Sequence, residues 1–448
     1  MRKLLLVLLL MGQCCWALER QPNADYHARR EALAKKTNGN VVVLFAPMEA
    51  EGPNAVFGFH QDENFYYLSG WPDPGAALLI APAVEATADT PARPYTEIFF
   101  LPAHNYVEEK WTGPKLGAEN PGAAMITGFD RVEVLDKLRD VLAGLLPKGR
   151  KGRLTVYSDI AQGSETAAST GPLEWLKRTN AFPGFVTLQD IKPMIASLRT
   201  YKDAGEVQLI RKATDASVAA HFAAMRGIKP GITEREISAL MQYEFGKRGC
   251  ERPAYAPIVG SGYYSTVLHY SEDSATMKAG DVVVIDVGGE YSMYATDITR
   301  TLPVSGKFSA RQREIYDIVL GAQQAAMDAF VLGKSTLLAP TSEASLYRVA
   351  REYINTHGKD LHGKPLGDYF IHGLSHYVGL NVHDAGDYSV PIGPGMVFTI
   401  EPGIYIPEEN LGVRIEDMFY VDKDGKLVKL TAALPSTAEE VEKLVTGK

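Results

Sequence analysis

The sequence predicts two folded domains: an α/β domain in front, then one built from capped helices and acid-bearing strand pairs. Three observations carry this. The chain has 448 residues, room for more than one domain at roughly 150 residues each. Between about residues 20 and 190, strand-like runs alternate with helical ones, the pattern of an α/β layer structure. Beyond residue 200, capping-box signals open helices, and two pairs of strand-like runs carry carboxylates at otherwise apolar positions. With 46% hydrophobic and 22% charged residues, the composition is that of a folded chain. A net charge of −8 and the lack of any Lys/Arg-rich tract exclude a nucleic-acid binder.

Residues 1–17 stand apart. Arg2 and Lys3 precede the apolar run Leu4 to Met11, and Cys15-Trp16-Ala17 follows. A basic end, a short apolar core and small exit residues form a secretory signal peptide, so an exported chain, periplasmic or secreted, is expected. The alternative is an uncleaved anchor, although the run falls short of the ~20 residues a membrane span needs, and no later stretch reaches that length. A lipoprotein reading on Cys14 is weakened by Gln13, where a small residue belongs. Cleavage after Ala17 leaves Cys250 as the sole cysteine and permits no internal disulfide. Stability must then come from core burial, bound metal or oligomerisation, and a homo-oligomer, dimer or tetramer, is expected.

The first domain is placed at 18–192. Its strand-like runs are Val41 to Phe45, Ala76 to Ile80, Glu97 to Leu101 and Leu154 to Tyr157, and Val132 to Leu146 reads as helical. A boundary falls near Lys192 to Thr200, and the second domain is placed at 200–448. Thr200 with Asp203, Thr233 with Glu236 and Ser309 with Gln312 have the spacing of capping boxes. Val207, Ile210, Val218, Phe222 and Met225 repeat at helical spacing and stop before Gly227, and Ile237, Leu240, Met241 and Phe245 stop at Gly246. These are core positions with no chemistry attached. Ser436 to Leu444 reads as a closing helix.

Asp281 to Val287 is a buried-strand run in which Asp286 shares a face with Val282 and Val284. A buried carboxylate normally takes up a proton, a cation or a metal. Tyr294 to Leu302 is a second run and contains Asp297; the two acids face each other if the turn falls at Tyr291-Ser292. The construction repeats: Val397 to Glu401 and Val413 to Tyr420 pair Glu401 with Glu416 if the turn falls at Glu408-Glu409. Like charges about 4 Å apart repel by roughly 1 to 4 kcal/mol per pair, so four together need cations, and two divalent ions balance four carboxylates. Any one of these acids alone is more often a surface group or strand-end cap.

His372, His376 and His383 crowd one short segment beside Gly373 and Gly379. One imidazole can complete a metal shell of Mn, Fe, Co or Zn while the others serve a substrate. A zinc-binding helix of the HExxH type is excluded, because Gly373 stands where the Glu belongs. His269 lies 17 residues before Asp286 and proves nothing alone.

In this order, Asp286, Asp297, His376, Glu401 and Glu416 resemble the five metal ligands of the pita-bread metallopeptidases, among them methionine aminopeptidase, prolidase and aminopeptidase P. Ile258-Val259-Gly260-Ser261-Gly262, Leu268-His269-Tyr270, Asp297-Ile298-Thr299-Arg300-Thr301, Gln312-Arg313-Glu314-Ile315-Tyr316-Asp317, His372-Gly373-Leu374-Ser375-His376 and Val413-Arg414-Ile415-Glu416-Asp417 look like bacterial-type aminopeptidase P. The match spans about 195 to 445, and Asp62 to Gly70 is similar to the family's extra domain, with lower specificity. The resemblance implies an α/β N-terminal domain ahead of an α+β pita-bread, creatinase/aminopeptidase-like catalytic domain. It implies a hydrolase that releases the N-terminal residue from peptides with proline second, using two divalent ions, expected as Mn²⁺, and a bridging hydroxide. Asp286 would chelate one ion, Asp297 and Glu416 would bridge both, and His376 and Glu401 would hold the other. Glu401 would also shuttle the proton, while His269, His372 and His383 would bind substrate and stabilise the oxyanion. Arg414, two residues from Glu416, would hold that carboxylate. Rival readings are a prolidase confined to Xaa-Pro dipeptides, against which Ser375 speaks; a methionine aminopeptidase, which usually lacks the large first domain; a creatinase-like hydrolase working without metal; and a non-catalytic peptide-binding relative.

Overall fold

The computed structural model describes residues 18–49, 56–84, 92–145, 154–160, 186–338, 342–388 and 390–447. The expected signal peptide lies outside the described residues. Elsewhere, no helix of the described residues is long and apolar enough to cross a membrane.

Six strands form the first sheet: β1 (Val41–Phe45), β2 (Ala77–Val84), β3 (Arg93–Leu101), β4 (Arg131–Val134), β5 (Leu154–Ser158) and β6 (Val186–Asp190). Their order is β4-β3-β2-β1-β5-β6. β1, β2 and β3 pair antiparallel, while β4, β5 and β6 add on parallel. Both faces are buried, so β1 is apolar throughout, with Val41 and Val43 on one side and Val42 and Leu44 on the other. The helical reading of Val132 to Leu146 is corrected: Arg131–Val134 is a strand, and the helix begins at Leu138. β4 pairs with β3, and that tertiary pairing overrides the local preference.

The helix Lys192–Arg199 leads into the second domain. There the Ala204–Gly227 helix is capped by Asp203 with Glu206, which replaces the expected box of Thr200 with Asp203. Thr200 instead turns its hydroxyl back onto the Ala196 carbonyl. Thr233 with Glu236 and Ser309 with Gln312 cap the helices Glu234–Lys247 and Ala310–Asp328 as expected. The closing helix, Ala438–Val445, buries Val441.

The strands that carry the site are short: β7 (Arg252–Pro253), β8 (Ile258–Ser261), β9 (Val282–Asp286), β10 (Gly289–Tyr291), β11 (Tyr294–Ala295) and β12 (Thr299–Pro303), then β13 (Val397–Ile400), β14 (Gly403–Ile406), β15 (Leu411–Arg414), β16 (Asp417–Val421) and β17 (Leu427–Lys429). In the second hairpin the register is the expected one. Ile400 pairs with Asp417 and Gly403 with Arg414, which leaves Glu401 opposite Glu416, and Pro407–Glu409 forms the turn. The first hairpin is shifted by one turn position. Tyr291 pairs with Tyr294, the turn is Ser292-Met293, and Asp286 faces Thr299 rather than Asp297. Ser292 and Met293 both have positive φ (50° and 72°), the geometry a two-residue hairpin turn needs. Asp297 becomes the diagonal neighbour of Asp286 on the same face, still within side-chain reach.

Met293, Tyr294 and Ala295 pack against Val207, Ile210 and Leu380 of their own domain. They enter a core that also contains Leu33, Phe65 and Phe99 of the first domain.

Candidate metal centre and substrate cavity

Two of the acids lie at breaks between strands. β11 and β12 are separated at Asp297, and β15 and β16 at Glu416. These breaks let the two hairpins join: the Glu416 amide donates to the Thr299 carbonyl (3.1 Å), and the Thr299 hydroxyl donates to Glu416 Oε2 (2.7 Å). The histidine segment runs antiparallel beside β13, with bonds from Glu401 to Leu374, from Thr399 to His376 and from Val378 to Val397. His376 is thereby set next to Glu401. Its Nε2 lies 3.3 Å from Asp297 Oδ2, 3.4 Å from Glu401 Oε1 and 3.8 Å from Glu416 Oε1. Its Nδ1 sits 3.1 Å from the Tyr377 carbonyl, a contact that places the ring proton there and leaves Nε2 as a lone pair aimed at the acids.

Asp286, Asp297, His376, Glu401 and Glu416 therefore converge, and they line one cavity of about 610 Å³ with His269, His372, His383 and Arg414. Such a volume suits a small peptide. Asp286, Asp297 and Glu416 offer oxygens within 4.8 Å of one another, as do the donor atoms of His376, Glu401 and Glu416. The fit to cations can be judged from the protein alone. Buried Glu416 Oε1 receives no hydrogen bond. Burial and the Asp286 and Glu401 charges push the Asp297 carboxyl well up, burial and the Asp297 and Asp286 charges do the same to Glu416, and burial and the Glu416 charge push Glu401 up to about 8. Carboxylates so crowded keep their full charge only with cations among them. An oxygen-rich set with one imidazole suits divalent ions.

The role expected of Arg414 is corrected. Its Nη2 donates to Asp286 Oδ2 (2.6 Å), its Nη1 to the Tyr405 hydroxyl (2.9 Å) and its Nε to the Thr299 hydroxyl (3.1 Å), so it reaches Glu416 only through Thr299. The strand break at Glu416 turns that carboxylate towards Thr299 and leaves Asp286 as the nearest acid. Burial opposes charge on Asp286, but the Arg414 guanidinium holds its carboxyl below the usual range.

Tyr255 was not legible as a site residue. Its hydroxyl lies 2.6 Å from Oδ1 of both Asp286 and Asp297 and ties the two acids together. It precedes Asp286 by 31 residues in a loop with Pro253 and Pro257, where no periodicity marks it. Tyr405 is also new: its hydroxyl contacts His372 Nε2 (2.8 Å). In sequence it reads as one apolar strand position among others. Burial and the Arg414 charge hold the His372 imidazole down at about 4, so it stays neutral.

Comparisons with known proteins agree with this geometry. The model of metallopeptidase family M24 matches residues 208–423, and that of the aminopeptidase P N-terminal domain matches 26–157. The chain is 32% identical to Xaa-Pro aminopeptidase of Escherichia coli, over 94% of this chain and 98% of that protein. It is 37% identical to Xaa-Pro dipeptidase of Pyrococcus furiosus, over 60% of this chain and 74% of that one. The structure of E. coli aminopeptidase P with the inhibitor Pro-Leu superposes with a TM-score of 0.81 at 30% identity, covering 96% of this chain and 99% of that one. With both family models in sequence, five convergent side chains able to hold metal and full-length relatives, the chain belongs to metallopeptidase family M24, in its aminopeptidase P group.

Proposed function

We propose that this metal-dependent exopeptidase releases the N-terminal residue from peptides with proline in second position. The observation that carries the reading is the convergence of Asp286, Asp297, His376, Glu401 and Glu416 in one cavity. Asp286 would hold one divalent ion, His376 and Glu401 the other, and Asp297 and Glu416 would be shared between them; Mn²⁺ suits this oxygen-rich set. When bound, the ions would supply an activated water and a Lewis acid for the scissile carbonyl. Glu401 accepts and returns a proton at its carboxylate. His269, His372 and His383 line the cavity and meet the peptide and its developing oxyanion. Arg414 keeps Asp286 ionised and oriented. An Xaa-Pro bond has no amide hydrogen, so a site that grips the bond from its carbonyl side loses nothing on proline. Exported localisation and a homo-oligomer belong to the same proposal. Oligomerisation is supported by the exposed Tyr106, Val107 and Trp111 (73%, 70% and 88%) gathered on one short segment.

The rival dipeptidase reading shares the metal site. The full-length match to an aminopeptidase, against a partial match to a dipeptidase, favours the former. The test is turnover of an Xaa-Pro dipeptide, an Xaa-Pro-Yaa tripeptide and an Xaa-Ala-Yaa control by Mn²⁺-loaded protein. We expect the tripeptide to be cleaved after its first residue and the alanine control to be spared. Cleavage confined to the dipeptide would transfer the assignment to prolidase, and equal rates on both tripeptides would remove proline selectivity.

A further inference from the structure

His383 sits at the tip of a short loop with its ring exposed. The next residue anchors that loop. Asp384 is buried, its side chain 1% exposed. Its amide donates to the Tyr377 carbonyl (2.9 Å), closing the loop, and its Oδ1 accepts from the Asn381 amide (3.3 Å). Asp384 Oδ2 lies directly under Gly379, where a Cβ would approach it to 2.2 Å. The carboxylate is gripped by two buried cations from the junction between the domains: Arg199 Nη2 on Oδ1, and Lys202 Nζ on Oδ2 at 3.0 Å. Arg199 also donates to Asn64 Oδ1 (2.7 Å), and the Asn381 amide group donates to Glu63 Oε1 (3.1 Å), both on the Glu63–Ser69 helix of the first domain.

A buried acid answered by two cations is more charge than a surface loop needs for folding alone. Its placement explains it: the ring beside it stands 4.2 Å, centroid to centroid, from that of His376. We infer that Asp384, held by Arg199 and Lys202, is a positioning residue that fixes His383 against the metal centre and ties that placement to the seating of the first domain. The inference rests on the proposed contact of His383 with substrate. A displacement of about 1 Å at such a group costs up to about a hundredfold in rate.

The test is a double-mutant cycle on the Mn²⁺-loaded, full-length protein, with kcat/KM for an Xaa-Pro-Yaa tripeptide and metal content read on each variant. Asp384→Asn is expected to lower kcat/KM by about 10- to 100-fold with metal content unchanged. In the His383→Ala background the same change should cost less than about threefold, because the acid acts through that ring. The His383 ring signal in a histidine-labelled spectrum should shift in Asp384→Asn and in Lys202→Met alike; Lys202→Met is also the substitute in the cycle if Asp384→Asn does not fold. Full additivity in the cycle, or an unmoved ring signal, overturns the inference while leaving the proposed peptidase reading intact. A fully active His383→Ala overturns both the histidine's role and the inference built on it.

Discussion

Replacing Asp297 by Asn should separate metal uptake from folding. In the metal-free protein the Asp297 carboxyl is crowded: its Oδ1 shares the Tyr255 hydroxyl with Asp286, and Asp286, Asp297 and Glu416 offer oxygens within 4.8 Å of one another. Like charges at that spacing repel by roughly 1 to 4 kcal/mol per pair, which together with burial raises its pKa and favours its neutral form. Asn is nearly the same shape as a protonated acid, so metal-free Asp297→Asn should unfold within about 1 kcal/mol of the parent. The difference emerges with metal. An ion at a hundredfold its dissociation constant stabilises by about 2.7 kcal/mol, which for a domain of about 150 to 250 residues raises Tm by roughly 5 to 10 °C. The parent should show this rise, larger with two ions; Asp297→Asn should show little of it and bind fewer than two ions per chain. Thermal unfolding with and without Mn²⁺, with elemental analysis, measures both. A variant that kept the full rise and both ions would refute the bridging role of Asp297 and the charge argument for the cluster.

Tyr255→Phe should weaken ion binding about 10- to 100-fold, measured by calorimetry, since it removes the hydroxyl that ties Asp286 to Asp297; unchanged affinity would show the phenol to be idle. Asp273 is raised from 3.8 to about 6, chiefly by burial. Below its ordinary value both folded and unfolded chains hold the proton, whereas above about 6 the folded chain must carry a disfavoured charge. Asp273→Asn should therefore be more stable by about 1 to 2 kcal/mol at pH 7, with the gain vanishing as pH falls from 6 towards 4; equal urea midpoints at pH 7 would sink this. Met293→Gly relieves a left-handed backbone cost of about 1 to 2 kcal/mol but deletes a buried side chain worth about 2 to 5. A net loss of about 1 to 3 kcal/mol is expected in chemical unfolding, and a gain would mean that strain outweighs burial there.

The two hairpins differ in how far sequence alone could place them. The second was legible to the residue because the polar segment Pro407 to Gly412 leaves one place for a turn between two apolar runs. In the first, Tyr291-Ser292 and Ser292-Met293 serve equally as local turns. The choice is made by burial of Met293 in the core shared with the other domain, which no local pattern records. The four acids were legible because acids at apolar strand positions are costly without a partner, whereas His376 is singled out from its neighbouring histidines only by the family resemblance. The supports of these side chains were not legible. Arg414 could be seen beside Glu416 along the chain, but its partner Asp286 lies 128 residues away, and Tyr255 and Tyr405 carry no periodic or charge signature. The junction cluster of Arg199, Lys202 and Asp384 is assembled by tertiary packing alone.

The insertion of Met293, Tyr294 and Ala295 among Leu33, Phe65 and Phe99 joins the two domains through one apolar core. Excising residues 18–192 would strip apolar surface from the very hairpin that carries Asp286 and Asp297, so a shortened catalytic fragment would forfeit solubility and its ligand geometry together.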